Sequence, residues 1–236
     1  QMIMFFCIGI IGIGLRFLIL GKFEWYQLFI VSLFLLAAFI FRFIEKWQKK
    51  RDEQFKPHQP QNDILYTYMM ERFSTGRKLL FKGNQKIGEY SRFYSRKWHQ
   101  WMNQLFLIPG WHLNLIFTLH DRGTAKFIEK KINPFNQMWH IVENGQVIGT
   151  VKTDVTLKNS AKLKEQCILQ IYDETFIFRS LSIQSRTEVL KDDRIAAIGT
   201  KPLSRFQYQF QVEKEYHEIE PYLMMTYILF NYAFKQ

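Results

Sequence analysis

Three hydrophobic patterns succeed one another along the chain, and each predicts a different kind of element. Met2 to Leu20 is a nineteen-residue stretch whose only charge is Arg16, long enough for a helix across a bilayer and placed so that the guanidinium can snorkel to the interface. After Gly21-Lys22-Phe23-Glu24, a second apolar run from Trp25 to Phe41 continues to Ile44. Two spans with so short a connection predict an antiparallel hairpin, with Trp25 and Tyr26 as interfacial aromatics. The first span lacks a basic start and a small-residue cleavage site, which argues against a cleaved signal peptide. The chain opens on Gln rather than Met, which leaves room for residues upstream.

The second pattern begins after a polar stretch, Gln48 to Asp63, that reads as a linker carrying Pro57 and Pro60. From Leu65 onward short alternating runs are bounded by Gly, Asn and Asp, as in antiparallel strands joined by hairpins. The clearest is Met138–Val142, the turn Glu143-Asn144-Gly145-Gln146, and Val147–Val151, because Asn-Gly supplies the positive φ angles of a two-residue type I′ turn. Leu113–Leu119 with Thr124–Ile128, Cys167–Tyr172 with Thr175–Arg179, Thr187–Leu190 with Arg194–Ile198, and a last strand Phe206–Val212 follow the same logic. An internal echo joins Gly83–Glu89, Asn144–Thr150 and Asp193–Thr200, each a polar turn before a short apolar stretch containing Gly. It supports an all-β body and nothing more, since tight hairpins draw on few residue types.

The third pattern is Tyr222 to Phe234, where only Thr226 and Asn231 are plainly polar. Pro221 suits a first helical turn, and Glu218 and Glu220 place negative charge at the positive end of the dipole. A helix apolar all round must be enclosed by protein or lipid, and at about 20 Å this one is too short for a bilayer core of about 30 Å. It is read as a central core helix, with Tyr222, Leu223, Met225, Ile228, Leu229 and Tyr232 in the core.

Many antiparallel strands followed by one wholly apolar helix suggest a sheet closed around that helix. On hairpins such as Trp139 to Val151 and the terminal Glu220-Pro221-Tyr-Leu-Met-Met segment, the chain resembles the tubby C-terminal-like superfamily, which includes the LURF/LOR domains and the phospholipid scramblases. The resemblance covers roughly Ile64 to Phe234 and implies a β-barrel wrapped around a hydrophobic C-terminal helix. The expected organisation is therefore a transmembrane hairpin over 1–45 (spans about 2–20 and 25–44), a basic juxtamembrane segment and linker over 46–63, and a mostly antiparallel barrel over 64–236 with its helix near 221–235. In the eukaryotic tubby branch the barrel binds phosphoinositides through basic side chains, but no such motif carries over here residue by residue. The hairpin departs from that branch and would anchor the protein without help from the barrel.

Charge then fixes the expected topology. Arg42, Lys46, Lys49, Lys50 and Arg51 follow the second span, whereas the connecting loop has one Lys and one Glu, so the side after the hairpin is expected to be cytoplasmic. Net charge is +11 with 17% aromatic residues, which in principle suits nucleic acid as well as anionic lipid. The hairpin favours lipid, because these cations are held within a Debye length of an anionic leaflet; the same five charges also have topology alone as a sufficient explanation. No nucleic-acid partner is expected.

Ser91 to Trp111 mixes basic and large apolar residues: Arg92, Arg96, Lys97, Trp98, Trp101, Leu105, Phe106, Ile108 and Trp111. One reading is an interfacial helix beside the hairpin, with Trp98, Trp101, Leu105 and Ile108 on one face and Trp47 near the same surface. The favoured reading is two strands whose aromatics fill the barrel. Lys152, Lys158, Lys162 and Lys164 around a loop read as a solvated face.

Nothing in the chain carries a catalytic signature. The histidines 58, 99, 112, 120, 140 and 217 show no metal spacing, Cys7 and Cys167 cannot pair, and no metal or other cofactor is expected. No nucleophile elbow or phosphate loop is present; Gly9, Gly12 and Gly14 lie inside a span, where small residues allow close helix packing, against Ala37 and Ala38 in this reading. Asp173-Glu174 and Asp192-Asp193 occupy turns. Two non-enzymatic functions remain. One is a lipid-associated binding or scaffold module at the inner leaflet. The other is an immunity or regulatory factor that recognises a membrane-active peptide or protein through the hairpin, with Gly9, Gly12, Arg16 and Ala37 as contacts. Both place the chain in a cell membrane with its globular part cytoplasmic, in an architecture that suits a bacterial protein.

Overall fold

The computed structural model describes residues 2–70, 72–73, 75–106, 112–131, 136–154, 164–181, 186–201 and 207–234, apart from the side chains of 104–106, 131, 164 and 181. Helix α1, Met2–Leu20, and helix α2, Trp25–Glu53, form the hairpin. Both are long and apolar enough to cross a membrane. Their contact is set where one of them lacks a side chain: a Cβ on Gly9 would stand 2.7 Å from a methyl of Val31. Phe5 and Phe34 meet one turn away, with ring centroids 5.9 Å apart. Gly9 thus packs on Val31, a turn or more from Ala37 and Ala38. Arg16 reaches the connecting loop and pairs with Glu24 at 2.6 Å, so its charge leaves the apolar stretch.

The second helix does not stop where its apolar run stops. Its 29 residues make a rod of about 43 Å, and its last nine carry the basic segment beyond an apolar core of about 30 Å. The polar stretch read as a linker is therefore helix as far as Glu53, for a reason visible only in three dimensions. Asp52 is buried on the barrel, where its Oδ1 accepts the backbone N–H of Met70 at 3.1 Å and its Oδ2 lies 3.5 Å from Lys78 Nζ. Phe55 then stacks on Tyr68 at 5.3 Å and meets Phe81 edge-on at 5.9 Å.

Twelve antiparallel strands close into a barrel in the order β1-β12-β11-β10-β9-β8-β7-β6-β5-β4-β3-β2. They are β1 Ile64–Tyr68, β2 Lys78–Lys82, β3 Gln85–Phe93, β4 Asn114–Leu119, β5 Gly123–Lys131, β6 Met138–Glu143, β7 Gln146–Thr153, β8 Lys164–Ile171, β9 Glu174–Leu181, β10 Arg186–Lys191, β11 Arg194–Thr200 and β12 Gln207–Val212. A short helix α3, Lys97–Phe106, joins β3 to β4, and α4, Glu220–Phe234, fills the lumen. The favoured strand reading of Ser91–Trp111 is thus corrected for the residues described: Ser91 to Phe93 end β3, and Lys97–Phe106 is helical, while 107–111 lie outside the described residues.

The echo in the sequence is a structural repeat of four strands. In hairpins β2–β3, β6–β7 and β10–β11 one extra residue, Ile87, Ile148 or Ala196, bulges at the same place in the register. Each bulge carbonyl accepts an N–H from the residue just past the following strand: His120 at 3.0 Å, Tyr172 at 3.3 Å and Glu213 at 2.9 Å. Bulges add twist and bend, so three of them in register help twelve strands to close. Gly88 and Gly149 follow the first two bulges because a Cβ there would strike a carbonyl of the adjacent strand, at 2.4 and 2.6 Å. In the third unit Ala197 holds that position, and Gly199 answers a different need: a Cβ there would stand 2.2 Å from the ring of Tyr227 on α4.

Tight turns make one pole of the barrel. Asn144 and Gly145 take φ of 51° and 82°, and Asp192 and Asp193 take 47° and 61°, the left-handed pairs of type I′ hairpins. Helix α4 enters at this pole, where Glu220 pairs with Lys82 at 2.6 Å. It ends near the other pole, where Arg72 donates to the Asn231 carbonyl at 3.2 Å. Between them, every residue from Tyr222 to Tyr232 is buried. Asn231 donates its side-chain amide to the Tyr227 carbonyl at 2.7 Å, and burial, the largest cause, pushes the Tyr227 phenol well above its ordinary range.

Candidate functional site

The end of α2 and the start of α3 lie at the same pole of the barrel, the one with the longer connections. Met70 and Lys78, which hold the end of α2, flank the β1–β2 connection there, and α3 leaves from the end of β3 at the same pole. The rod and α3 are therefore on one side of the barrel. Arg42, Lys46, Lys49, Lys50 and Arg51 are all exposed along the rod; Arg51 lies 4.3 Å over the ring of Trp47, which is itself exposed. Trp25 and Tyr26 are exposed at the opposite end of α2.

Helix α3 is amphipathic. Arg96, just before it, and Lys97 are exposed, and Trp98 and Trp101 stand one turn apart with 50% and 59% of their surfaces free. Asn103 is buried and His99 half-buried. Leu105 and Phe106 belong to the helix, but their side chains, like Ile108 and Trp111, lie outside the described residues. His99 stacks on His112 with ring centroids 3.6 Å apart and planes within 3°. Burial first, then neighbouring positive charge, pulls both imidazoles below their usual range.

Arg92 does not join that surface. Its side chain is fully buried, donates to the Arg72 carbonyl at 3.1 Å and lies 4.8 Å from the Tyr94 ring. Strand alternation explains the correction: Arg92 shares an inward register with Tyr90 on β3, whereas Arg96 follows the strand's end. Nearby, Glu129 accepts the Leu113 N–H at 3.1 Å and the Gln137 side-chain amide at 3.3 Å. Burial, the dominant influence, raises its carboxyl to about 7 against the opposing pull of that N–H and of Arg92. No sequence signal marked Glu129 or Asp52, because a lone carboxylate on an exposed-looking segment acquires a buried partner only in the fold. Lys152 is exposed, while Lys158 and Lys162 and the side chain of Lys164 lie outside the described residues.

Among the described residues no cluster of His, Cys, Asp and Glu is arranged to hold a metal ion. A family model, the Tubby C-terminal like domain, matches residues 66–234. The barrel with its enclosed helix is the architecture of that class, and the chain belongs to this family. No curated protein and no solved structure shows a significant match to the chain.

Proposed function

We propose that the protein is a membrane-anchored, non-enzymatic lipid-binding module whose barrel rests with its longer-loop pole against the cytoplasmic leaflet. Tubby-like domains as a class bind phospholipids. The observation that carries the reading is the continuity of α2: one helix crosses from the apolar segment through five exposed cations and ends in a buried ion pair on the barrel. That joint ties the pole bearing α3 to the helix that carries the apolar segment, which supports placing this pole toward the membrane. Arg42, Lys46, Lys49, Lys50, Arg51, Arg96 and Lys97 would meet anionic head groups, at roughly 1 kcal/mol each near such a surface. Trp47, Trp98 and Trp101 would sit among the head groups, where an indole can bury its ring and keep its N–H wet.

The test uses the whole chain, since Asp52 and Phe55 belong to the barrel and a fragment beginning at Gln61 would leave Lys78 buried without its partner. A nitroxide on a Lys97→Cys variant, with Cys7 replaced by Ser, is measured for depth in neutral and anionic bilayers. Head-group depth that requires anionic lipid and is lost with added salt is the expected result. Equal access to bulk water in both bilayers would sink the proposal.

The alternative, recognition of a membrane-active peptide or protein by the hairpin, finds less support in the geometry. Gly9 and Arg16 are already engaged within the hairpin, by Val31 and Glu24. Gly12 has open space around it, so Gly12→Leu is the substitution that would report on such a partner without disturbing the hairpin itself.

A further inference from the structure

We propose that a pocket between α4 and strands β1 to β4, at the tight-turn pole, binds a small amphiphile with an apolar tail and a singly charged acidic head, of the medium-chain carboxylate class. The pocket has a volume of about 230 Å³, and Leu65, Leu80, Ile87, Leu119, Met224 and Met225 form its apolar walls. An apolar cavity of about 150 Å³ suffices for benzene, so this one has room for a tail of roughly eight carbons.

The repeat explains why the space lies in this unit. In the second unit the residue past the last strand is Tyr172, whose ring meets Tyr222 of α4 at 6.2 Å. In the third the equivalent residue is Glu213, and three residues further on Tyr216 meets Phe176 of β9 at 5.9 Å. In the first unit the position of Tyr172 is taken by His120, which among the described residues makes no ring contact with α4. The second unit thus lays an aromatic ring, itself 63% exposed, against the central helix at a position where the first unit has an imidazole and the third a carboxylate.

The mouth selects the head group. Glu220 is already neutralised by Lys82 at 2.6 Å. Arg122 is exposed, donates to the Glu218 carbonyl at 2.8 Å and lies 5.8 Å from the Tyr222 ring; among the described residues it forms no ion pair with a carboxylate. Its planar fork suits a carboxylate. Asp121 shares the rim and opposes a second negative charge, which disfavours a phosphate dianion. His217 completes the rim. The opening lies at the pole opposite the α2 joint, so on the membrane-contact reading above, on which this access route alone rests, the ligand would come from the aqueous phase rather than from the leaflet.

The experiment is calorimetric titration of the full chain in neutral-lipid nanodiscs with butanoate, hexanoate, octanoate and decanoate, and with octanol and octylamine, each corrected against empty nanodiscs. Affinity should rise about fourfold per CH₂ and level off near eight carbons, whereas partition into lipid would keep rising. Octanoate should bind at least about tenfold more tightly than octylamine, and Arg122→Gln, at an exposed position, should remove most of that preference. Leu119→Trp, which fills the pocket, should abolish saturable binding. Absence of saturable binding to the wild-type chain, growth without a plateau, preference for the amine, or insensitivity to both substitutions would each overturn the proposal.

Discussion

Helices α1 and α4 are both apolar nearly all round, yet they end in opposite environments. No residue of α1 is buried by protein, and Leu18 is 80% exposed; in α4 every residue from Tyr222 to Tyr232 is buried inside the barrel. Hydrophobicity alone does not separate them. Length does, since nineteen residues can span a bilayer core and fifteen cannot. Polar detail agrees: α4 buries Thr226 at its middle and Asn231 in its last turn, where the Asn231 amide finds a carbonyl one turn back, whereas α1 sends its one charge out of the apolar stretch to meet Glu24. A closed sheet replaces for α4 the polar face that a surface helix would need, and on the proposed membrane-spanning reading lipid does so for α1.

The joint between these two worlds should be the most sensitive point. Asp52→Ala leaves Lys78 buried without its counter-charge, and loss of about 4 kcal/mol is expected in thermal or denaturant unfolding. Replacing both partners, Asp52→Leu with Lys78→Met, should recover most of it; failure to recover would mean that the Met70 N–H contact matters more than the charge pair. Within the helices, Leu223→Ala should cost about 3 kcal/mol of barrel stability by opening a cavity, while Leu18→Ala should leave the barrel's unfolding unchanged. Equal effects at the two positions would erase the contrast between enclosure by sheet and by lipid.

A subtler effect concerns pH. The Glu129 carboxyl is raised in the fold to about 7, so the folded state binds its proton more tightly than the unfolded chain does. The contribution is fully present below the ordinary carboxylate range near 4.5 and is lost as pH rises through 7. Glu129→Gln should therefore unfold at a temperature a few degrees above wild type at pH 8, with the gap closing toward pH 5. A gap independent of pH would assign the carboxyl an ordinary pKa. The smallest expected change is at the surface: Trp98→Ala with Trp101→Ala should leave unfolding within about 0.5 kcal/mol, yet move the label at position 97 away from the head groups.

Much of this architecture is legible in local patterns. The spans, the Asn144-Gly145 hairpin and the apolar terminal helix depend on periodicity, length and turn chemistry, all of which act over a few residues. The echo of three hairpins was visible too, but its meaning was not: only the register shows that Ile87, Ile148 and Ala196 are equivalent bulges and that Ala197, rather than Gly199, stands where Gly88 and Gly149 do. Arg92 misled, and Asp52 went unmarked, for a common reason. A charge in a polar context reads as exposed, and its burial depends on partners that arrive from distant strands, here Lys78 for Asp52 and the Arg72 carbonyl for Arg92.

The sequence by itself determined the two membrane-length helices, the antiparallel β character and the need to enclose α4, because apolar length and turn residues constrain every conformation the chain can adopt. Tertiary structure alone decided the closure of the barrel, the unbroken run of α2 into its buried ion pair, and the single pole at which the basic rod ends and from which α3 leaves. Those outcomes depend on strand register and on contacts between residues far apart in the chain, which local pattern does not encode.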